Sequence, residues 1–174
     1  PSRAEKMARD IDLLLCIFPF EKDWYAKRVP NLRVEFIGHP IVERHAEFTN
    51  DDLRMTRESA SNSSIVNRQS QILLLPGSRV GELKRHLPVM LEAAKEISAK
   101  GEVRFKMILP DEKLKQLADS LSALLPSLEI QIGGLAAALS QATLAIASTG
   151  TVTLECAYFG VPTIAIYKTS WSTY

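Results

Sequence analysis

Two cysteines and three histidines among 174 residues leave little material for metal or disulfide chemistry. The histidines are scattered, and no His/Cys spacing of a zinc site occurs. Cys16 and Cys156 stand alone in apolar segments, so two buried free thiols of a cytoplasmic protein are expected rather than a disulfide. Long apolar runs are missing as well. The longest, residues 13–20, contains Pro19 and falls far short of the roughly 20 residues that a membrane span requires. No signal peptide is visible. Excess charge of either sign is absent: the net charge is +1, which gives no global field for nucleic acid or an acidic partner. There is no Gly-x-Gly-x-x-Gly, which excludes the ordinary dinucleotide fingerprint, and no internal repeat of fixed period. The chain opens on Pro1 rather than Met, and a fragment or processed chain is expected.

What is present is a regular alternation. Apolar residues make up 46% of a chain long enough for one good core and a partial second unit. Residues 3–9 read as the end of a helix, 13–18 as a buried strand, 20–27 as a short helix and 34–37 as a strand closed by Gly38-His39-Pro40. Residues 50–70 are polar, rich in Ser, Asn, Asp and Arg, and read as a linker or exposed segment. The organisation expected is 1–48 as the trailing part of one domain, 49–71 as linker, and 72–174 as a second, nucleotide-binding domain.

In that second part the pattern is clean. Strands are expected at 72–75, 105–109, 128–132, 144–147 and 162–167. Helices fall between them at 82–98, 110–124, 134–141 and 151–159, the last ended by Gly160. Leu83, Leu87, Leu91, Ala94 and Ile97 share one face of the first helix, and Pro88 is expected to set its first turn apart. Leu114, Leu117, Leu121 and Leu124 should face inward from the second. Apolar strands each followed by a helix predict a doubly wound parallel sheet with helices on both faces.

Ligands of such sheets bind beyond the carboxyl ends of the strands. Two loops there have suitable chemistry. The first is Pro76-Gly77-Ser78-Arg79-Val80-Gly81-Glu82. Its glycines permit close backbone approach, Ser78 offers a hydroxyl, Arg79 a fixed-charge fork suited to phosphate, and the next helix its N–H groups. A plain turn with a surface arginine fits the same residues. The second is Ser148-Thr149-Gly150-Thr151, where hydroxyls and helix N–H groups would converge on a diphosphate. Glu155 lies one helical turn beyond Thr151, where a carboxylate can accept hydrogen bonds from ribose hydroxyls. Here the competing reading is a helix N-cap and a solvated glutamate. Arg79, Lys84, Arg85 and His86 crowd one junction. They read as a solvated helix face, or as a patch for an acceptor phosphate or an anionic membrane surface.

Three stretches carry a family resemblance. Phe18-Pro19-Phe20-Glu21-Lys22, Trp24-Tyr25 and Phe36-Ile37-Gly38-His39-Pro40 resemble the segment that closes the N-terminal domain of lipid-A-disaccharide synthases. Leu73-Leu74-Leu75-Pro76-Gly77-Ser78-Arg79, with Glu82 and Leu87-Pro88, resembles the signature opening that family's C-terminal domain. Ala147 to Glu155, with Cys156 and Pro162, is similar to its later Ser-Gly-Thr-x-x-Leu-Glu motif, with Thr149 where the family more often has Ser.

The resemblance implies one Rossmann-like half of a two-domain (GT-B type) glycosyltransferase. The implied reaction moves a diacylglucosamine from UDP-2,3-diacylglucosamine to diacylglucosamine 1-phosphate in lipid A biosynthesis. No metal, organic cofactor or nucleic acid is implied. Peripheral contact at the cytoplasmic face of the inner membrane of a Gram-negative-type envelope is. Implied substrate-binding residues are Gly77, Ser78, Arg79, Glu82, Ser148, Thr149, Gly150, Thr151 and Glu155. Arg79 is open to the UDP or the acceptor phosphate. The catalytic base is expected in N-terminal sequence outside the chain, so these residues alone should not transfer sugar. Two alternatives stand beside this reading: another UDP-sugar enzyme of the same fold, such as an epimerase or a UDP-GlcNAc transferase, or a non-catalytic nucleotide-binding module.

Overall fold

The computed structural model describes residues 2–48, 70–121, 125 and 127–168. The linker expected at 49–71 lies almost wholly outside the described residues, as does Leu124. Two compact units emerge, Pro1–Phe48 and Thr49–Tyr174.

In the first unit, α1 (Arg3–Asp10) starts on a reciprocal cap: Ser2 Oγ accepts the Glu5 N–H, and Glu5 accepts the Ser2 N–H. Strands β1 (Leu13–Cys16) and β2 (Arg33–Phe36) pair in parallel, with α2 (Pro19–Arg28) between them and the one-turn α3 (Ile41–Arg44) after them. The Glu21 carboxylate accepts the N–H groups of Ile17 and Phe18 at 3.2 and 2.9 Å, fixing the turn into α2. The Phe18 ring lies 5.7 Å from that of His39, so the two sequence fragments around them meet in space. A small core forms from Ala4, Cys16, Val29, Leu32 and Val34. The expectation of a buried strand at 13–18 is corrected here. Only Cys16 of β1 is buried, while Leu13 and Leu15 are 41% and 52% exposed. Successive side chains of a strand point to opposite faces, and within this unit only one face of the two-stranded sheet is covered.

The second unit is a five-stranded, all-parallel sheet in the order β5-β4-β3-β6-β7. Its elements are β3 (Ser70–Leu75), α4 (Val80–Ser98), β4 (Val103–Leu109), α5 (Glu112–Leu121), β5 (Leu128–Ile132), α6 (Leu135–Gln141), β6 (Leu144–Ser148), α7 (Thr151–Tyr158) and β7 (Thr163–Ile166). This is the doubly wound, Rossmann-like arrangement that the alternation predicts. Strand β3 is central and covered on both faces. Ile72 and Leu74 join the core beneath α4 and α5, together with Phe105, Met107, Leu109 and Ile146. Leu73 and Leu75, of opposite parity, are 0% and 3% exposed on the other face.

Helix α4 brings two corrections. It runs unbroken through Pro88, so the first turn is not set apart. Pro88 and Lys84 both lie on the exposed side, where water can satisfy the carbonyl that proline leaves without a donor. On the other side Leu83, Leu87, Met90 and Leu91 are buried at both ends of the break. At about 1.5–3 kcal/mol each, that burial exceeds the roughly 3 kcal/mol cost of an interior proline. The second correction is His86, which belongs to the buried face rather than a solvated one. In α5, Asp111 caps the start by accepting the Leu114 N–H at 2.8 Å. Leu114 and Ala118 face inward and Leu117 packs partly on the core, but Leu121 is 37% exposed rather than inward.

Candidate functional site

From β3 the chain winds outward through β4 and β5, then returns to the other side of β3 as β6 and β7. The order therefore reverses between β3 and β6, the point at which open parallel sheets hold ligands. Leu75 is registered with Ala147, so the loops that leave these strands start side by side. Around them lies a cleft of about 510 Å³, within the range of small-molecule sites. All nine residues singled out from the sequence line it: Gly77, Ser78, Arg79, Glu82, Ser148, Thr149, Gly150, Thr151 and Glu155.

The loop after β3 is built around a glycine and a glutamate. Gly77 adopts φ +119°, and a Cβ there would fall 2.7 Å from Glu82 Cβ and against the Glu82 carboxylate. No other residue type fits that position without displacing Glu82. The space left open lets Glu82 reach back over the loop. Its carboxylate accepts the Ser78 N–H at 3.1 Å and one guanidinium N–H of Arg79 at 3.1 Å. Glu82 thus lines the cleft while its charge is engaged by the loop's own donors. The Arg79 side chain is 82% exposed at the rim. Arg79 is the one cation among the described lining residues, which include two carboxylates, Glu82 and Glu155.

The loop after β6 is held mainly through its backbone. Ser148 ends the strand, buried and registered with Ile166. The Thr149 N–H donates to the Ile166 carbonyl at 3.2 Å. Gly150 takes the N-cap position of α7 with φ +148°, ψ −161°, and among the described residues no side chain caps this helix. Neither Thr149 nor Thr151 is therefore the N-cap. Thr153 Oγ1 instead donates to the Gly150 carbonyl at 2.7 Å. Thr151 and Val152 open the helix directly on the cleft, so the positive end of its dipole faces whatever lies there. Glu155 is buried at 9% exposure rather than solvated. Burial pushes the thiol of the neighbouring Cys156 up, more than a hydrogen bond with Thr163 lowers it, and the Glu155 charge adds to the rise. Both cysteines are buried free thiols.

One wall of the cleft is not foreseen from the sequence. Ile108, Leu109 and Pro110 at the end of β4, with Gly133 and Leu135 after β5, give it an apolar side. The rule that points to the two loops, the carboxyl edge of the sheet, applies to these strand ends too, but nothing in their residue types advertises it. Among the described residues no group of three His, Cys, Asp or Glu side chains could hold a metal ion.

Comparison with known proteins gives a consistent result. The family model for lipid-A-disaccharide synthetase matches residues 1–174. The chain is 34% identical over 173 residues to the lipid-A-disaccharide synthase of Rhodopseudomonas palustris (strain BisB18), covering 97% of this chain and 41% of that protein. It is 32% identical over 175 residues to the synthase of Anaeromyxobacter dehalogenans (strain 2CP-C), covering 99% of this chain and 44% of that one. It is likewise 32% identical over 189 residues to that of Persephonella marina, covering 99% and 46%. The chain thus spans less than half the length of the curated relatives it matches.

Proposed function

The chain belongs to the lipid-A-disaccharide synthase family, and on that premise we propose that it forms the UDP-binding half of an enzyme moving diacylglucosamine from UDP-2,3-diacylglucosamine to diacylglucosamine 1-phosphate. The observation that carries the proposal is the convergence of two anion-suited loops on one cleft at the reversal of strand order. The diphosphate lies between the Gly77–Arg79 backbone and the uncapped start of α7. The ribose hydroxyls donate to Glu155, which would repel the phosphates and so belongs on the far side of the sugar from them. The uracil ring rests on the apolar wall of Leu109, Pro110 and Leu135.

Transfer proceeds with inversion. A carboxylate supplied by the longer protein removes the proton from the acceptor hydroxyl as that oxygen attacks the sugar carbon. Negative charge grows on the departing UDP, where the α7 dipole and the Ser78 and Thr151 donors stabilise it more than in the ground state. Glu82 takes the Ser78 N–H and one Arg79 N–H, which keeps the Ser78 hydroxyl and the rest of the Arg79 fork oriented. Arg79 supplies positive charge at the rim to a phosphate of the donor or of the acceptor. With acylated substrates the full protein works at the cytoplasmic face of the inner membrane as a peripheral protein. No described helix is long and apolar enough to cross a membrane.

Calorimetric titration of these 174 residues with UDP and pyrophosphate tests the binding half of the proposal. Weak binding of both is expected, UDP the tighter, with no sugar transfer, because the two carboxylates of the cleft are engaged by the loop and assigned to the ribose. Binding of neither ligand would contradict it. For the complete protein, activity on diacylated but not unacylated UDP-glucosamine separates this reaction from an epimerase or a UDP-GlcNAc transferase.

A further inference from the structure

Helix α4 holds the loop after β3 at two points one turn apart. Glu82 holds its middle, as described. Four residues on, His86 Nδ1 lies 3.0 Å from the carbonyl oxygen of Pro76, ten positions back in the chain. A carbonyl only accepts, so Nδ1 carries the proton of this bond. Pro76 is among the most buried residues of the protein. It has no N–H, and the pairing of β3 with β6 ends at Leu75. His86 is the partner shown for the Pro76 carbonyl, which would otherwise be a buried acceptor without a donor.

Packing alone does not explain a histidine here. His86 is 4% exposed among Leu83, Leu87 and Met90, where a leucine or methionine would satisfy the core. Its own Nε2 is buried with no partner among the described residues, a cost to stability that an apolar side chain would avoid. The polar ring acts against the interest of the core, and the bond it makes among the described residues is to the residue from which Gly77, Ser78 and Arg79 depart.

We propose that His86 is a positioning residue for diphosphate binding: its Nδ1–H fixes the Pro76 carbonyl, and through it the direction in which the Ser78 hydroxyl and the Arg79 fork are presented to the cleft. The inference rests on the reading of the cleft as a UDP site. It assigns His86 no contact with the ligand.

The test is titration of the whole chain and of His86→Leu, His86→Met and His86→Asn with pyrophosphate, UDP and uridine, alongside thermal melts. His86→Leu and His86→Met remove the donor while keeping an apolar core. Both should lose about tenfold in affinity for pyrophosphate and UDP, because a displaced donor loop mispositions its charges. Their uridine affinity and melting temperature should stay near wild type. His86→Asn places an amide N–H near the position of Nδ1 and should recover most of the loss. Wild-type phosphate affinity in the donor-free variants overturns the proposal. So does an equal loss for uridine, a failure of both to fold, or no recovery in His86→Asn, since each marks a merely structural residue. If the wild-type chain binds neither UDP nor pyrophosphate, the reading of the site fails first and the inference with it.

Discussion

The two loops beside the strand reversal reach similar positions by opposite means. The loop after β3 is braced by side chains of the helix that follows it, Glu82 on Ser78 and Arg79, and His86 on Pro76. The loop after β6 relies on its backbone: a Thr149 N–H on the Ile166 carbonyl, a glycine N-cap, and a helix start that no described side chain closes. The difference separates two ways of readying a site for an anion. One loop gives its Ser78 N–H and one Arg79 N–H to an internal carboxylate, which holds the Ser78 hydroxyl and the rest of the Arg79 fork in place in advance. The other leaves helix N–H groups free for the ligand to take.

Their glycines expose that contrast most sharply. At Gly77 a Cβ meets both a left-handed φ and the body of Glu82; at Gly150 it meets a glycine-favouring backbone but open space. Gly77→Ala is therefore expected to cost the most, about 3 kcal/mol in chemical denaturation, and to lose pyrophosphate binding with the brace. Arg79→Ala should follow. The exposed side chain carries little of the fold, so its melting temperature should hold, while turnover of the complete protein falls by about tenfold to a hundredfold for one charge-assisted bond. Loss of UDP affinity in the same variant assigns Arg79 to the donor. Unchanged UDP affinity with lost turnover assigns it to the acceptor, and unchanged turnover removes it from the site. Glu155→Ala should weaken UDP by about 1–3 kcal/mol through lost ribose bonds and leave pyrophosphate nearly untouched. Equal losses for the two would contradict the ribose assignment. The smallest effect is expected from Gly150→Ala, about 1 kcal/mol of backbone strain with both ligands still bound. Melting curves showing Gly150→Ala worse than Gly77→Ala would reverse the comparison.

The same contrast explains what could be read from the sequence. Strands β3 and β6 declare themselves because both faces are buried, so Leu73 and Leu74 are apolar in succession. The nine candidate residues were legible because they combine a turn, a hydroxyl or charge, and a place after an apolar strand. The apolar wall was not, since Ile108, Leu109 and Pro110 look like any strand end. His86 reads as surface because it sits in a basic run, and only the helix register in space turns it inward. Residues 13–18 show the converse. Leu13 and Leu15 carry the same apolar signature as β3, but burial depends on what packs against a strand, which its own residues do not record. Pro88 misled for a third reason: a break in one hydrogen bond is local, whereas the packing on both sides of it is not.

The most direct test of the switch-point cleft as a nucleoside diphosphate site is a backbone-amide NMR titration of the chain with UDP. Saturable shifts are expected at Gly77, Ser78, Thr151 and Val152, amides of both loops, at one common dissociation constant. Pyrophosphate should reproduce these shifts, and uridine should instead move residues of the Leu109 and Leu135 wall. UDP binding that leaves the amides of both loops unmoved would contradict the assignment of this cleft.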